Sequence, residues 1–430
     1  FGGVLAGENL RGIEFQTGVV NTMMGMSPFF GTSLDINLSG TLTLADGAGI
    51  VATGQNTTGA AIDAINIAAS SLELGAGSEL SITDTFGGTG DAMNIAVDAP
   101  VTIGGGATIA ASNGSVTVDG AIADAAGAVP GTLAIEGSQG VALTGGDVSL
   151  VNGIAVQSID ITASDGEITT NAIAADGGVS ILASGDATTD DVTADTDAQI
   201  VSATGSVMSG NVISTNGSAD LMAGFNVSSG DVSAGGSATL SAATGSVTAG
   251  SVTASGGAAD INASVDAIVG DVVAGTSAGI DAATGGVTAG NVDAQDGAIT
   301  ITSGTTTTTA DLASADAGAD GTPGGVTVTA GGDATIGETA VDADGVSAAQ
   351  GDVSITSSGG AVTISGTTVA DNGGAALTGV GDVTSGDVTA SDAASLTAAT
   401  GSVAVGDVTG SGGPVTLAGA VDVSAGDVLS

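Results

Sequence analysis

The sequence predicts an all-β protein, a parallel β-helix (β-solenoid) with about 20 residues and three short strands in each coil. Three observations support this fold class: valines recur at intervals of about 20 residues, short segments alternate apolar and polar residues, and glycines separate these segments. A fixed period of this length is typical of stacked repeats, and period-two alternation is typical of half-buried strands. No 3.6-residue periodicity is sustained, and Gly and β-branched residues pervade the chain, which argues against helical bundles.

The valine repeat is the strongest of these observations. The string AATGSVTAGSV at 242–252 returns as AATGGVTAGNV at 282–292, and the period of the valines divides that interval into two equal steps. We expect the side chains of each column to stack on successive coils and to form a narrow core. The main column consists of Val192, Val212, Val232, Val252, Val272, Val292 and Leu312, and it returns as Val388, Val408 and Val428. A second column, five residues earlier, consists of Ala187, Val207, Val227, Val247, Ala267, Val287 and Thr307, and it returns as Val383, Val403 and Val423.

The alternating segments supply the third strand of each coil, as in Ile299-Thr-Ile301. In one typical coil the three strands, each about three residues long, are expected around Val247, Val252 and Ile261, with glycines in the turns between them. Each coil would rise about 4.8 Å, so about 20 stacked coils would make a rod roughly 100 Å long. Because most of the apolar residues are Ala and Val, and large apolar side chains are scarce, the core is expected to be thin.

The spacing of these signals divides the chain into five segments. Regular coils are predicted at 141–304 and 381–430, and irregular coils of the same solenoid at 35–140. Coils with longer loops are predicted at 305–380, which contains TTTTT and ADAGADGTPGG. No change of composition marks the last coil, which is therefore expected to be uncapped.

Residues 1–34 differ from the rest in composition. They hold four of the six Phe, three of the six Met and the single cation, Arg11. This segment is interpreted as a cap over the open end of the solenoid, as an arm that docks on another subunit, or as a tether to a preceding domain. The candidate assembly contacts are Phe1, Phe15, Met23, Met24, Met26, Phe29 and Phe30.

The charge balance excludes several functions. The chain carries 46 Asp and Glu against one cation, for a formal net charge of -45. One cation cannot neutralise the phosphates of a nucleic acid, and an anionic membrane surface would repel the chain. No apolar run approaches the ~20 residues of a membrane span. His, Cys, Lys and Tyr are absent, so an enzyme is not expected; a β-helix that uses carboxylates on polysaccharides is the remote alternative.

A polar column stands directly before the main valine column. Carboxylates one coil apart would repel by ~0.9 kcal/mol even in water, and alternation with neutral residues limits that repulsion. The column is acidic on alternate coils, as Asp191, Asn211, Asp231, Ser251, Asp271, Asn291 and Asp311.

The acids stand closer together near the C-terminal end, where they are candidates for a Ca²⁺ ladder. Ca²⁺ takes oxygen ligands from carboxylates and carbonyls, and it is the one cofactor that the sequence suggests. The alternative is a solvated acidic face that keeps the solenoid soluble and discourages pairing at strand edges. The candidate ladder consists of Asp382, Asp387, Asp407 and Asp427.

The repeat strings resemble a known family. GDVSAGGSATLSAATGSVTAGSVTASGG is similar to the repeats of filamentous-haemagglutinin-like exoproteins, the large β-helical adhesins of Gram-negative bacteria. The likeness covers roughly 140–304 and 380–430, is weaker over 35–140, and rests on the pattern G-[DS]-V-T at about 20-residue spacing. The resemblance implies a secreted, surface-attached, right-handed β-helix that acts as a stalk, an adhesin or a fibre of the extracellular matrix or biofilm.

These observations lead to two principal hypotheses of function. The first is a structural extracellular filament subunit or adhesin shaft, whose partners are further copies of itself, stacked end to end, or the rest of a larger surface protein. The second is a module that binds a glycan or a host surface through long loops, with 311–325 and 120–132 as candidates.

Overall fold

The chain winds into successive coils, and each coil contributes one strand to each of three faces. The structure is a computed structural model, and all elements in the residues it describes are strands that, within each compact unit, pair in parallel with neighbouring coils. We call the faces 1, 2 and 3 in chain order; corner 1 joins face 1 to face 2, corner 2 joins face 2 to face 3, and corner 3 leads to face 1 of the next coil. The described residues are 13–16, 33–54, 64–84, 94–111, 115–124, 131–137, 140–144, 148–150, 157–164, 166–316, 324–337, 339–343 and 351–430.

The chain divides into two compact units, of which unit 1 is Phe1–Thr215. Its face 1 contains Ile13–Gln16, Gly49–Gly54, Glu79–Asp84, Thr108–Ala111, Gly131–Gly137, Gln157–Ala163, Val179–Ala183 and Ala198–Ser202. Face 2 contains Ser33–Asn37, Ala64–Ala68, Asn94–Asp98, Ser115–Asp119, Gly140–Thr144, Glu167–Thr170, Ala187–Thr188 and Val207–Met208. Face 3 contains Thr41–Leu44, Ser71–Leu74, Val101–Ile103, Ile122–Asp124, Val148–Leu150, Ile173–Ala175, Val192–Ala194 and Val212–Ser214.

Unit 2 is Asn216–Ser430 and has the same three faces. Its face 1 contains Ala219–Ala223, Ala238–Ala242, Ala259–Ala263, Ala278–Ala282, Ala298–Ser303, Gly325–Ala330, Val353–Ser357, Ala375–Gly379, Ala394–Ala398 and Val415–Gly419. Face 2 contains Val227–Ser228, Val247–Thr248, Ala267–Ile268, Val287–Ala289, Thr307–Thr309, Ala334–Ile336, Val362–Ile364, Val383–Ser385, Val403–Val405 and Val423–Ser424. Face 3 contains Val232–Ala234, Val252–Ala254, Val272–Ala274, Val292–Ala294, Leu312–Asp316, Thr339–Ala343, Thr368–Ala370, Val388–Ala390, Val408–Gly410 and Val428–Leu429.

These strands confirm the predicted parallel β-solenoid and refine its strand lengths. The strand around Ile261 has five residues, and the strand at Val247 has two, where three were expected for each. The valine columns lie on faces 2 and 3, where Val252 pairs with Val272. The alternating segments form face 1, since only a longer strand can show three inward and two or three outward side chains in alternation.

Unit 2 does not repeat identically from one coil to the next. In its regular coils the pairs on faces 2 and 3 are separated by a constant step, as from Val252 to Val272. On face 1 the step is one residue shorter from Leu221 to Leu240 and one residue longer from Leu240 to Ile261. The true repeat of these regular coils is therefore a pair of coils, which explains why the AATG strings recur on every second coil.

The alternation arises because corners 1 and 3 exchange one residue. In one coil, corner 3 has three residues, 235–237, and corner 1 has four, 243–246. In the next coil, corner 3 has four residues, 255–258, and corner 1 has three, 264–266. The coil length stays the same, while the face 1 strand shifts by one residue along the chain.

Unit 1 begins with longer coils that enclose a larger core. The first face 3 steps, from Leu42 to Leu72 and from Leu72 to Val101, are nearly half as long again as the regular steps of unit 2. At corner 3 of these coils, Gly47, Gly77 and Gly106 adopt positive φ angles of 66°, 64° and 76°, a conformation that favours Gly. The wide coils bury Leu and Ile on all three faces, each at most 1% exposed: Leu44, Ile50, Ile65, Ile67, Leu72, Leu74, Leu80, Ile82, Ile95, Ile103 and Ile109.

Unit 1 approaches the regular spacing only in its later coils. The face 2 step from Val141 to Ile168 is still longer than the regular step. The next steps, to Ala187 and then to Val207, match the regular step to within one residue. Regular coils thus begin after Ile168.

The core of unit 2 is narrow and built from small side chains, as the composition predicts. One aliphatic residue on each face 1 strand is buried at its centre, flanked mostly by Ala and Val. Each coil buries its apolar residues only against its neighbours, so the packing is local along the chain. The central column is Leu221, Leu240, Ile261, Ile280, Ile301, Val328, Ile355, Leu377 and Leu396, each at most 1% exposed.

The last coil is an exception to this burial. Val388 and Val408 of the main column are fully buried, but Val428 is 49% exposed and pairs only with the strand of Val408. Val423 of the second column is 48% exposed. The assignment of Val428 to the core stays a prediction.

Candidate functional site

The most regular polar feature of the molecule is a ladder of side-chain oxygens at corner 2. Its members stand directly before face 3 strands, and the Oδ1 of an Asp or Asn member accepts the backbone N–H of the equivalent residue one coil later. Asp271 accepts from Asn291 at 2.8 Å, and Asp387 accepts from Asp407 at 2.8 Å. The remaining bonds run from Asn211 to Asp191 (2.7 Å), from Ser251 to Asp231 (2.7 Å), from Asp311 to Asn291 (3.2 Å) and from Asp427 to Asp407 (2.8 Å).

A second ladder of the same kind lies at corner 1. In unit 2, Asp266 Oδ1 accepts the N–H of Gly286 at 2.8 Å, and Asn226 Oδ1 accepts that of Ser246 at 2.9 Å. On the intervening coil Ser246 Oγ accepts the N–H of Asp266 at 3.3 Å. Further bonds run from Ser206 to Asp186 (2.7 Å), from Ala361 to Asp333 (2.8 Å) and from Ser402 to Asp382 (2.8 Å).

Glycine provides the space that each ladder oxygen occupies. The residue before the N–H donor is Gly in most of these rungs, and a Cβ built on it would lie under 3.0 Å from the accepting oxygen. This holds for Gly290 above Asp271 and for Gly406 above Asp387. The same conflict exists at Gly210, Gly250, Gly337 and Gly426 on corner 2, and at Gly205, Gly245, Gly285, Gly360 and Gly401 on corner 1.

The recurrent dipeptide of Gly followed by Asp, Asn or Ser thus has a local cause. A short side chain with an acceptor oxygen can satisfy a backbone N–H at a turn where the sheet ladder is interrupted. Asp, Asn and Ser all meet this need, which explains why they alternate in one column. Glycine in the next coil lets the oxygen approach the backbone.

The free energy of these hydrogen bonds exceeds the repulsion between carboxylates, even where acids stand on successive coils. A hydrogen bond to a charged group contributes about 1.5–3 kcal/mol, whereas the repulsion of two carboxylates about 4.8 Å apart in water is ~0.9 kcal/mol. Asp387, Asp407 and Asp427 form such a run, with two of their carboxylates each accepting an N–H from the next. Peptide N–H dipoles therefore offset the proximity of like charges.

The same acids were the candidates for a Ca²⁺ ladder. The structure puts Asp387, Asp407 and Asp427 in one row at corner 2, and Asp382 in the corner 1 row of the same coil. In the part of the chain that the structure describes, no group of three or more acidic residues is arranged to hold a metal ion. Binding of Ca²⁺ stays a prediction.

Most of the other predicted site residues lie outside the part of the chain that the structure describes. Phe1, Met23, Met24, Met26, Phe29 and Phe30 lie outside the described residues, and of Phe15 only the backbone is described, in a strand that pairs with Gly49–Gly54. Of the candidate loops, residues 125–130 and 317–323 also lie outside the described residues. In each case the described strand before the segment belongs to face 3 and the described strand after it belongs to face 1.

One outward-facing, half-buried Asp on a strand has a shifted pKa. Asp293 points outward on face 3, where the strand register puts it between Val273 and Ala313. Desolvation by burial raises the pKa of Asp293 above the usual range of a carboxyl group. Its apolar neighbours on the adjacent strands account for that desolvation.

Comparisons with known proteins do not identify a family for this chain. No family model, curated protein or solved structure matches this chain. None of the described residues belongs to a helix of the length and apolarity that would cross a membrane. The resemblance to filamentous-haemagglutinin-like exoproteins stays a prediction.

Sequence reasoning missed two parts of this site. It found the polar column but assigned its spacing to charge repulsion alone, and it did not see that the oxygens accept N–H groups from the next coil. The signal was present, because Asn211 and Ser251 share the column with acids and also share their acceptor chemistry. The alternation of corner lengths was the second omission, and the recurrence of the AATG strings on every second coil was its signal.

Proposed function

We propose that this chain is a structural shaft: an extracellular filament subunit or the stalk of an adhesin, which positions other groups at a distance. The observation that carries the proposal is the continuous parallel register within each unit, in which every coil serves as the template for the next. Parallel stacking joined by repeated side-chain bonds at two corners gives a stiff element that resists bending. Repeated coils of one pattern lengthen the structure without creating a distinct site. A catalytic site would need one coil to differ from its neighbours in its polar groups.

The charge distribution supports an extracellular, extended role. The net charge of -45 keeps such a β-rich chain soluble, and acids at the corners discourage uncontrolled pairing of strand edges. The residues that stack end to end would be further coils of the same pattern, from the rest of a larger surface protein or from another copy. Residues 1–34 are the proposed contact with that neighbour.

Negative-stain electron microscopy tests this function. The purified chain is expected to form long uniform fibres, and a variant that lacks residues 1–34 is expected to remain as short particles. Circular dichroism of the shortened variant must show the same strand content, so that loss of fibres reflects loss of contact. Short particles from the complete chain, or fibres that persist without residues 1–34, would contradict the corresponding part of the proposal.

A second candidate function is a module that binds a glycan or a host surface. Its support is that each of the segments 125–130 and 317–323 follows a face 3 strand and precedes a face 1 strand of its own unit. Deletion of residues 317–323 would abolish adhesion to glycan arrays or host cells in this case, and it would leave fibre formation intact. Unchanged adhesion after the deletion would remove this candidate.

A further inference from the structure

One part of face 1 in unit 2 has no charged side chain pointing outward. It comprises six paired strands, from Ala298–Ser303 to Val415–Gly419, and we call it the hydroxyl face. Its outward residues are Thr, Ser and Ala, in two columns that follow the strand register. One column carries Thr on five consecutive strands: Thr302, Thr329, Thr356, Thr378 and Thr397.

The lack of charge on this face is local. On the two face 1 strands that precede it, Asp260 and Asp281 occupy outward positions. Along the hydroxyl face itself the acids are confined to the flanking corners, with Asp333 and Asp382 at corner 1 and Asp352 at corner 3. A neutral surface six strands wide therefore lies between two rows of carboxylates.

The hydroxyl groups of this face have unused bonding capacity within the chain. Among the described residues, none of its outward Thr or Ser side chains makes a hydrogen bond to another protein group. Elsewhere outward hydroxyls do pair between coils, as Thr41 does with Ser71 at 2.7 Å. A hydroxyl both donates and accepts, so a face of hydroxyls is complementary to itself.

The charge of the whole chain decides which partner fits this face. Because the net charge is -45 with a single cation, two copies repel each other wherever their acids meet. Face 2 of unit 2 also has no outward charge, but its strands have only two or three residues and lie directly between the ladders at corners 1 and 2. The strands of the hydroxyl face have five or six residues, so this face gives two copies a wider area in which neutral groups are opposed, and a two-fold axis would pair each Thr column with its equivalent. A cationic partner would be attracted to the rows of acids at the corners instead.

We propose that the hydroxyl face is the surface through which two copies of this chain associate side by side. The contact differs from the end-to-end stacking of the proposed function and does not require it. Six strands about 4.8 Å apart and five residues long offer about 480 Å² to each partner, from the strand dimensions. Stable complexes bury about 800 Å² on each side, so one pair associates weakly and the contact gains strength where many copies are held together.

The flanking acids make this association dependent on salt. Face-to-face contact brings the rows at Asp333, Asp382 and Asp352 of the two copies towards each other. Salt screens that repulsion, because the Debye length falls from about 30 Å at 0.01 M to about 3 Å at 1 M. Association therefore strengthens with added NaCl, whereas association through ion pairs would weaken.

Sedimentation of the complete chain with matched variants tests the proposal. In the first variant, Thr329→Asp and Thr356→Asp put two charges at the centre of the hydroxyl face, on neighbouring strands. In the control, Thr335→Asp and Thr363→Asp put two charges on face 2 of the same two coils, also on neighbouring strands. Each pair combines one exposed and one half-buried position, so the two variants differ mainly in the face they alter.

The wild type and the face 2 variant are expected to dimerise increasingly with NaCl, and the face 1 variant to dimerise at least about tenfold more weakly. Equal weakening in both variants, or a wild type that stays monomeric at high salt, would overturn the proposal. X-ray scattering separates the modes of contact: side-by-side pairs increase the cross-section of the particle, and end-to-end pairs increase only its length.

A second measurement avoids added charge, in case the aspartates disturb folding. The chain contains no cysteine, so Thr356→Cys or Thr363→Cys provides a single labelling site on face 1 or face 2. Spin labels at 356 are expected to show a short intermolecular distance at high salt, and labels at 363 are not. The same distance from both sites, or from neither, would refute side-by-side contact through the hydroxyl face.

Discussion

Glycine and the short acceptor residues act as pairs across neighbouring coils. Asp387 offers its Oδ1 to the N–H of Asp407, and Gly406 leaves room for that oxygen. Since the φ angles of these corner glycines are not in the left-handed region, their role is space and not backbone conformation. The same corner contact therefore requires both an Asp in one coil and a Gly in the next, which helps to explain why both residue types are abundant.

This pairing predicts coupled mutational effects at Gly406 and Asp387. Gly406→Ala is expected to destabilise the corner by about 1–3 kcal/mol, because its Cβ would overlap the carboxylate. In an Asp387→Ala background the same change should cost less, since the opposing oxygen is gone. Thermal midpoints, and hydrogen exchange of the Asp407 amide, measure the four members of this cycle.

Two further variants serve as controls for that cycle. Asp387→Asn keeps an acceptor oxygen, as Asn291 does naturally, and should leave the Asp407 amide protected. Gly279→Ala lies mid-strand, where the nearest atom to a new Cβ is Asp260 Oδ1 at 3.1 Å, and it should be tolerated. Equal costs of Gly406→Ala with and without Asp387 would show that the space is needed for another reason.

Asp293 gives a prediction with a defined pH dependence. Its pKa is raised by desolvation, so the folded state favours the protonated form, and ionisation at neutral pH costs stability. Asp293→Asn should therefore raise the melting temperature at pH 7. The gain should shrink as the pH falls through the raised pKa and vanish below the unfolded value, where both states of the wild type are protonated. A gain that is independent of pH would assign the effect to packing.

At the scale of the element, the unit of construction is two coils. A three-residue corner 1 stacks on a four-residue corner 1, and this lets Asp266 of the short corner accept the N–H of Gly286 in the long one. If two four-residue corners followed each other, Ser246 would take the position of Asp266 below Gly286. The N–H of Gly286 would then have no carboxylate to accept its hydrogen bond. The order of the corners is thus coupled to the bonds between them.

Deletions of different length test this coupling. Removal of 242–281 joins Ser241 to Ala282, takes out two coils, and keeps the alternation of corners. Removal of 247–266 joins Ser246 to Ala267, takes out one coil, and stacks two four-residue corners. The larger deletion is expected to melt closer to the wild type, because its junction recreates native neighbours. A lower melting temperature for the larger deletion would mean that length, and not corner order, sets the stability.

The elements differ in how far the sequence alone could predict them. The face of Val252 could be predicted because buried valines recur once in each coil. The face of Ile261 could be predicted because apolar and polar residues alternate along its strand. The length of the face 2 strands could not be predicted, since a single valine such as Val247 marks a position but no boundary. The corner ladders join polar residues one coil apart, and no apolar pattern marks these contacts. The sequence therefore shows the charge of Asp271 but not the hydrogen bond that Asp271 accepts from Asn291.

At the scale of the whole molecule, charge is separated by position. In unit 2 the acids concentrate at the corners, where backbone N–H groups donate to them, and the later coils leave face 1 neutral. With one cation in the chain, ion pairs contribute almost nothing to stability. Backbone donors take the role that Lys and Arg have in most acidic proteins, and this arrangement makes cations unnecessary at the ladders.

The two-coil unit also has a consequence for inheritance. Because AATG strings mark equivalent places two coils apart, unequal recombination between their codons would add or remove two coils and keep every corner matched. Each such event would change the length of a unit by about 10 Å. A lineage could therefore adjust the reach of this protein in fixed increments, without passing through a misfolded intermediate.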